Sequence, residues 1–201
     1  MNRAGVYALM LGVACWGGWQ WWQDRPLPVA GGPGVRAAAA PVQIDLRHEP
    51  PLQKNGYALT PLALFDLTAL ILSKENYHMG REAELSRTDL ALGWGRMSDP
   101  QVLREIDISQ GNRFFYWHTD HEPPIPVAEI TQSASNMHLI AANPVVQDQI
   151  DALRPGQVVS LRGKLVRADA PDGWHWVSST SRTDSGNGAC ELVYVETLSV
   201  Q

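Results

Sequence analysis

Cysteine is scarce: the chain of 201 residues contains only Cys15 and Cys190. Two thiols exclude a disulfide-rich scaffold and a four-cysteine zinc site. Basic residues are also in deficit, 16 Lys and Arg against 21 Asp and Glu, which argues against a phosphate backbone as the main partner. Charge is missing altogether from residues 4–22, where only Gln20 is strongly polar. No internal repeat is visible. What the chain does have is 44% hydrophobic and 18% charged residues, a balance that excludes disorder throughout. It also has eight tryptophans, and Trp16, Trp19, Trp21 and Trp22 crowd one short stretch near the amino terminus.

The uncharged stretch predicts a transmembrane helix. As a helix, residues 4–22 span about 28 Å, close to the ~30 Å hydrocarbon core of a bilayer. Trp16, Trp19, Trp21 and Trp22 stand at its far end, where indole rings favour the membrane interface. Arg3 precedes the run, while Asp24 and Arg25 cancel after it, so the bias places the amino end inside and the rest outside. The expectation is a signal anchor over residues 1–25, contacting the lipid bilayer through 4–22, in a bacterial inner membrane. Two other readings stay open: a signal peptide cleaved near Gly12-Val13-Ala14, and a lipoprotein signal ending at Cys15.

Residues 26–42 are rich in Pro, Gly and Ala and read as a flexible linker. Residues 43–201 form the expected periplasm-facing globular domain. Phe65–Leu72 alternates like a strand, and Arg113–His118 is an aromatic-rich strand candidate. Ser98-Asp99-Pro100 and Asn143-Pro144 each start a short helix. The second of these carries Val145, Val146, Ile150 and Leu153 on an apolar face and ends at Arg154-Pro155-Gly156. Val159–Leu165, Trp174–Val177 and Cys190–Leu198 read as antiparallel strands, with a turn at Pro171-Asp172-Gly173. Gly163 among alternating apolar positions predicts a bulge or sharp coil. The expected fold class is α+β, mostly antiparallel β: an N-terminal transmembrane helix, then a small barrel-like, OB-like β domain with two short helices.

Several segments together resemble an uncharacterised family of bacterial single-pass, cell-envelope proteins. They are Asp89-Leu90-Ala91-Leu92-Gly93-Trp94-Gly95-Arg96-Met97-Ser98-Asp99, Asn136-Met137-His138-Leu139-Ile140, and Ser178-Ser179-Thr180-Ser181-Arg182-Thr183-Asp184-Ser185-Gly186-Asn187-Gly188-Ala189-Cys190-Glu191. Pro33-Gly34-Val35 and Gly163-Lys164-Leu165-Val166 add to the likeness, and Ala141-Ala142 departs from the expected Pro-Ala. The resemblance implies the layout of membrane anchor plus outer domain. It implies no reaction.

Three constellations could carry chemistry. His118, Asp120 and His121 offer two imidazoles and a carboxylate to a transition metal, but Glu122-Pro123-Pro124 makes this a loop, and a solvated polar loop is the plainer reading. Cys190 with His138 as base and Asp184 as its orienter would be a nucleophilic set. Against it, Cys190 opens an apolar strand, where an unpaired thiol is commonly buried and inert. The polar, glycine-rich segment 178–188 offers hydroxyls, amides and the guanidinium of Arg182 to a ligand. Trp94, between two glycines, can stack on a ligand or plug the core. His138 beside Asn136 can face a pocket or sit satisfied in the core.

Taken together, the sequence predicts a membrane-anchored periplasmic binding or assembly module without catalytic activity and without a cofactor. Its binding residues are Trp94, Asn136, His138, Arg182 and Asp184, and its partner is an envelope protein or small molecule rather than nucleic acid. Beyond residue 25 the chain holds 14 basic and 20 acidic residues, a formal net of −6, which suits basic or neutral partners. The competing reading is a cell-envelope hydrolase or transferase acting through Cys190 and His138, or through a metal at His118 and His121.

Overall fold

The computed structural model describes residues 3–23, 25–28, 32–184, 186 and 188–201. Helix α1 covers Arg3–Gln23. Among the described residues no helix is long and apolar enough to cross a membrane. The transmembrane helix and signal anchor expected over residues 1–25 are corrected accordingly. The reason is compositional: the carboxyl half of α1 is dominated by Gly, Gln and Trp, which dilute the alkyl side chains that a span requires. The side chains of Trp16, Trp19, Trp21 and Trp22, expected to form an interfacial belt, lie outside the described residues.

The remainder is mostly β. An eight-stranded sheet contains β1 (Val42–Asp45), β2 (Leu52–Lys54), β3 (Tyr57–Asn76), β4 (Thr88–Gly93), β7 (Ala134–Ala141), β8 (Val158–Asp169), β9 (His175–Val177) and β10 (Glu191–Val200). Its strands run in the order β1-β3-β4-β7-β10-β8-β9, with β2 added beside β3. A separate two-stranded sheet pairs β5 (Asp107–Gly111) with β6 (Phe114–His118). The small barrel-like domain expected from the sequence is corrected to this large sheet, in which β3 pairs with β8 in addition to its neighbours in that order. Neither β4 nor β7 was legible as a strand, because both are buried along their lengths and lack alternation.

The 20-residue β3 organises the sheet. Its odd-numbered residues from Tyr57 to Ala69 are buried, the period of a strand with one face in the core. Its amino-terminal part pairs with β8 from Ala58 to Leu70, and its end pairs with β4 from Leu70 to Asn76. Pro61 sits where the β3–β8 register shifts, a position that tolerates a missing N–H. β10 runs parallel to β7 and antiparallel to β8. Gly163 on β8 lies against the backbone of Tyr194, so a methyl there would overlap the Tyr194 carbonyl oxygen. The bulge expected around Gly163 falls on the partner strand, where the β10–β8 register shifts between Val195, opposite Gly163, and Thr197.

Three short helices sit on the sheet: α2 (Pro100–Leu103), α3 (Val127–Ser133) and α4 (Pro144–Asp151). Asp99 caps α2 by accepting from the Gln101 N–H, and Asn143 caps α4 by accepting from Val146. In α4, Val146 and Ile150 are buried, whereas Val145, expected on the same face, is exposed. The stretch expected to be a free linker is docked where described: Ala37 is buried, and the Ser98 hydroxyl oxygen accepts from the N–H groups of Arg36 and Ala37.

Candidate functional site

Two neighbouring clusters occupy the end of the sheet where β7, β10 and the β5–β6 hairpin meet. The first is a buried charge network. Asp89, on β4, is fully buried. Its Oδ1 receives the Arg113 guanidinium at 2.7 Å, and its Oδ2 lies 2.9 Å from His138 Nδ1. Register explains the second contact, since Asp89 lies opposite His138 across β4 and β7. Arg113 comes from the tip of the hairpin, where Asn112 and Arg113 both adopt positive φ, 52° and 70°. Such angles are unusual for side-chain-bearing residues outside tight hairpin turns. Its guanidinium stacks 3.8 Å from the Tyr77 ring centroid and donates to the Ser86 carbonyl. The His138 ring packs 4.7 Å from Trp176. A guanidinium bonded to a buried carboxylate, as Arg113 is to Asp89, offsets desolvation of its charge. His138 is therefore a core histidine.

The second cluster surrounds a cavity of about 180 Å³. Trp94, Phe114, Phe115 and Trp117 supply its aromatic wall, and Asn136, Arg182, Asp184 and Glu191 its polar wall. Asn136 is held from two sides: it accepts from the Gln110 side chain at 2.6 Å and donates to the Arg113 carbonyl at 2.9 Å. The hairpin is thereby locked to β7. Glu191, the first residue of β10, is buried, and its Oε1 lies 2.5 Å from Arg182. Its other oxygen accepts from the Ser135 hydroxyl. Burial outweighs the pull of Arg182 and pushes the Glu191 carboxyl up to about 7. The Arg182 guanidinium also lies 5.6 Å from the Phe65 ring centroid. Asp184 is exposed and accepts from Ser179 at 2.6 Å.

Cys190 lines the same cavity but is not set up as a nucleophile. Burial first, then the neighbouring Glu191 charge, pushes its thiol up to about 12, so the thiolate is suppressed at neutral pH. Its sulfur meets Asn136 and the Arg113 carbonyl, not an imidazole. Of the catalytic set expected from the sequence, His138 faces Asp89 and Asp184 faces Ser179; neither reaches Cys190 through a hydrogen bond or ion pair. His118 and Asp120 approach to 3.3 Å on the surface, both strongly exposed. Among the described residues no group of three or more His, Cys, Asp or Glu is placed to hold a metal, so His121 does not complete that pair.

Four of the binding residues expected from the sequence, Trp94, Asn136, Arg182 and Asp184, meet at the cavity, while His138 lies behind it. Sequence reading missed Glu191, Arg113 and Asp89, and it saw Phe114, Phe115 and Trp117 only as strand residues. The run of aromatics at 114–117 was the available signal. No family model, curated protein or solved structure matches this chain. Roles at the site therefore follow from its geometry alone.

Proposed function

We propose that the chain is a non-catalytic binding module whose small-molecule ligand seats in the cavity between the β5–β6 hairpin, the start of β7 and residues 181–184 and 189–190. The observation that carries this reading is the convergence of Trp94, Asn136, Arg182 and Asp184 on one aromatic-lined space. Three sequence-distant segments, carrying Trp94, Asn136 and the Arg182–Asp184 pair, have no reason to meet there for packing alone, since a packed core leaves few voids of this size. Apolar walls with a few placed polar groups are the usual make-up of a ligand site. The volume of about 180 Å³ lies below the ~300 Å³ at which sites for drug-sized molecules begin, so the ligand is small. The suppressed Cys190 thiol supports binding over covalent chemistry.

Amide-resolved NMR titration with indole, cyclohexanol and methyl glucoside tests this reading. Shifts are expected to gather at Trp94, Trp117, Ser135, Asn136 and Glu191 for at least one probe. Shifts scattered over the surface, or none, would contradict it.

A further inference from the structure

Resting on the binding reading above, we infer that the cavity selects a small carboxylate with an apolar body, seated on the Arg182 guanidinium, over neutral or cationic molecules of the same shape. Arg182 lines the cavity. Its Nε, Nη1 and Nη2 are all buried, and none has a hydrogen-bond partner among the described residues. The side chain is 26% exposed, so that exposure falls on its carbons. Nη1 lies 2.5 Å from Glu191 Oε1, an ion-pair contact without hydrogen-bond geometry. The Phe65 ring, with its centroid 5.6 Å away, answers the charge but not the N–H groups. Among the described residues on the cavity wall, no other buried side-chain nitrogen or oxygen lacks a partner. Buried donors of a charged group are costly to leave unbonded. A guanidinium presents them as a planar fork, which a carboxylate fills with two parallel bonds.

The groups around this fork leave room for an anion. Glu191 on β10 is buried, receives the Ser135 hydroxyl from β7 and is pushed up to about 7. Below that value its carboxyl is neutral and no longer offsets the Arg182 charge. Asp184, two residues along the chain from Arg182, is the like charge that a carboxylate meets. It is exposed and accepts from Ser179, so water and ions screen it more than they screen a buried guanidinium. Cys190 stands on the wall as a neutral thiol. Trp94, Phe114, Phe115 and Trp117 then cover an apolar body, which an inorganic anion lacks. The acidic balance of the chain, 21 acidic against 16 basic residues, acts at longer range and is screened beyond about 10 Å at 0.1 M salt. It slows the approach of an anion without deciding which charge is held at contact.

Three probes of one shape separate the alternatives: benzoate is an anion, benzamide is neutral and benzamidinium is a cation. Binding is read by NMR titration of the full chain at about pH 6, with spectral dispersion as the check on folding. Benzoate is expected to bind about tenfold or more tightly than benzamide, with benzamidinium weakest. Arg182→Met is expected to lower benzoate to the benzamide affinity. The parent chain supplies a second readout that needs no Arg182 variant. Its benzoate affinity should fall about tenfold from about pH 6 to about pH 8, as Glu191 ionises and competes for Arg182, and stay level in Glu191→Gln. Equal affinity for benzoate and benzamide, or a parent affinity for benzoate that ignores pH, would overturn the carboxylate assignment and leave the cavity as a binding site. Tightest binding of benzamidinium would overturn it by making Asp184 the anchor. Absence of binding by all three would remove the cavity reading together with this one.

Discussion

His138 Nδ1 lies 2.9 Å from Asp89 Oδ2, inside the protein, while the Cys190 thiol meets the Arg113 carbonyl instead of an imidazole. This one contact separates two functional readings. A histidine committed to a buried carboxylate is a structural element, and without it the thiol at the cavity has no base. The same carboxylate receives Arg113 from the hairpin tip at 2.7 Å. The network therefore fastens the β5–β6 hairpin, and with it Phe114, Phe115 and Trp117, against the sheet.

Asp89→Asn should accordingly destabilise the fold. It leaves the largely buried Arg113 charge without its counter-ion, and losing one partner of a buried pair costs about 3 kcal/mol. Urea denaturation followed by tryptophan fluorescence measures this. A change under about 0.5 kcal/mol, the range of an ordinary surface substitution, would show that the network does not hold the hairpin.

Cys190 should label slowly in the native state. With the thiol pushed up to about 12, little thiolate exists at neutral pH. Because Cys15 is exposed and free, the experiment uses a Cys15→Ser background and compares disulfide-exchange labelling in buffer and in urea. Native labelling as fast as the unfolded rate would restore the nucleophile reading.

Glu191 should impose a pH dependence on stability. Burial raises its carboxyl from 4.5 to about 7, so between those values the folded state holds the proton and the unfolded state does not. Stability then contributed by the protonated carboxyl is complete below the unfolded value and declines as pH rises toward about 7. Glu191→Gln should flatten the fall in thermal midpoint across this window relative to the parent chain. An identical pH profile in the two proteins would show that Glu191 does not titrate there.

Gly163→Ala should be poorly tolerated. The added methyl meets the Tyr194 carbonyl, which belongs to a paired strand and has little room to retreat. Overpacking of this kind costs roughly 1–3 kcal/mol, occasionally more. Val159→Ala on the same strand, which removes volume without that clash, provides the comparison for circular dichroism melting. Equal midpoints for Gly163→Ala and the parent chain would contradict the close approach.

The parts of this architecture that could be read from sequence are those with local signals. Asp99-Pro100 and Asn143-Pro144 mark the starts of α2 and α4 because capping and proline geometry are local. Leu161, Gly163 and Leu165 gave away β8 through alternation. β4 and β7 stayed hidden because burial on both faces erases the alternation that marks a strand. Freedom from charge over residues 4–22 predicts a membrane helix, but the absence of charge is not hydrophobicity, and the glycines and tryptophans of α1 supply little of the latter. At the cavity, Trp94, Asn136, Arg182 and Asp184 stood out individually as polar or aromatic residues in unusual settings. Their meeting place, and the Arg182–Glu191 pairing within it, depend on β7 lying parallel to β10, a long-range relation that no local pattern encodes.

The most direct measurement of the central claim is a titration of the plugged cavity. Thr131 reaches the cavity from α3 and is half-buried, and its hydroxyl donates to the Val127 carbonyl of its own helix. Thr131→Trp fills the space without altering a strand. The parent chain and this variant are compared by NMR titration with whichever of indole, cyclohexanol or methyl glucoside shifts the parent most. A binding cavity requires the shifts at Asn136 and Glu191 to vanish in the variant while its spectrum stays dispersed. Undiminished shifts in a folded Thr131→Trp protein would place binding elsewhere and contradict the account.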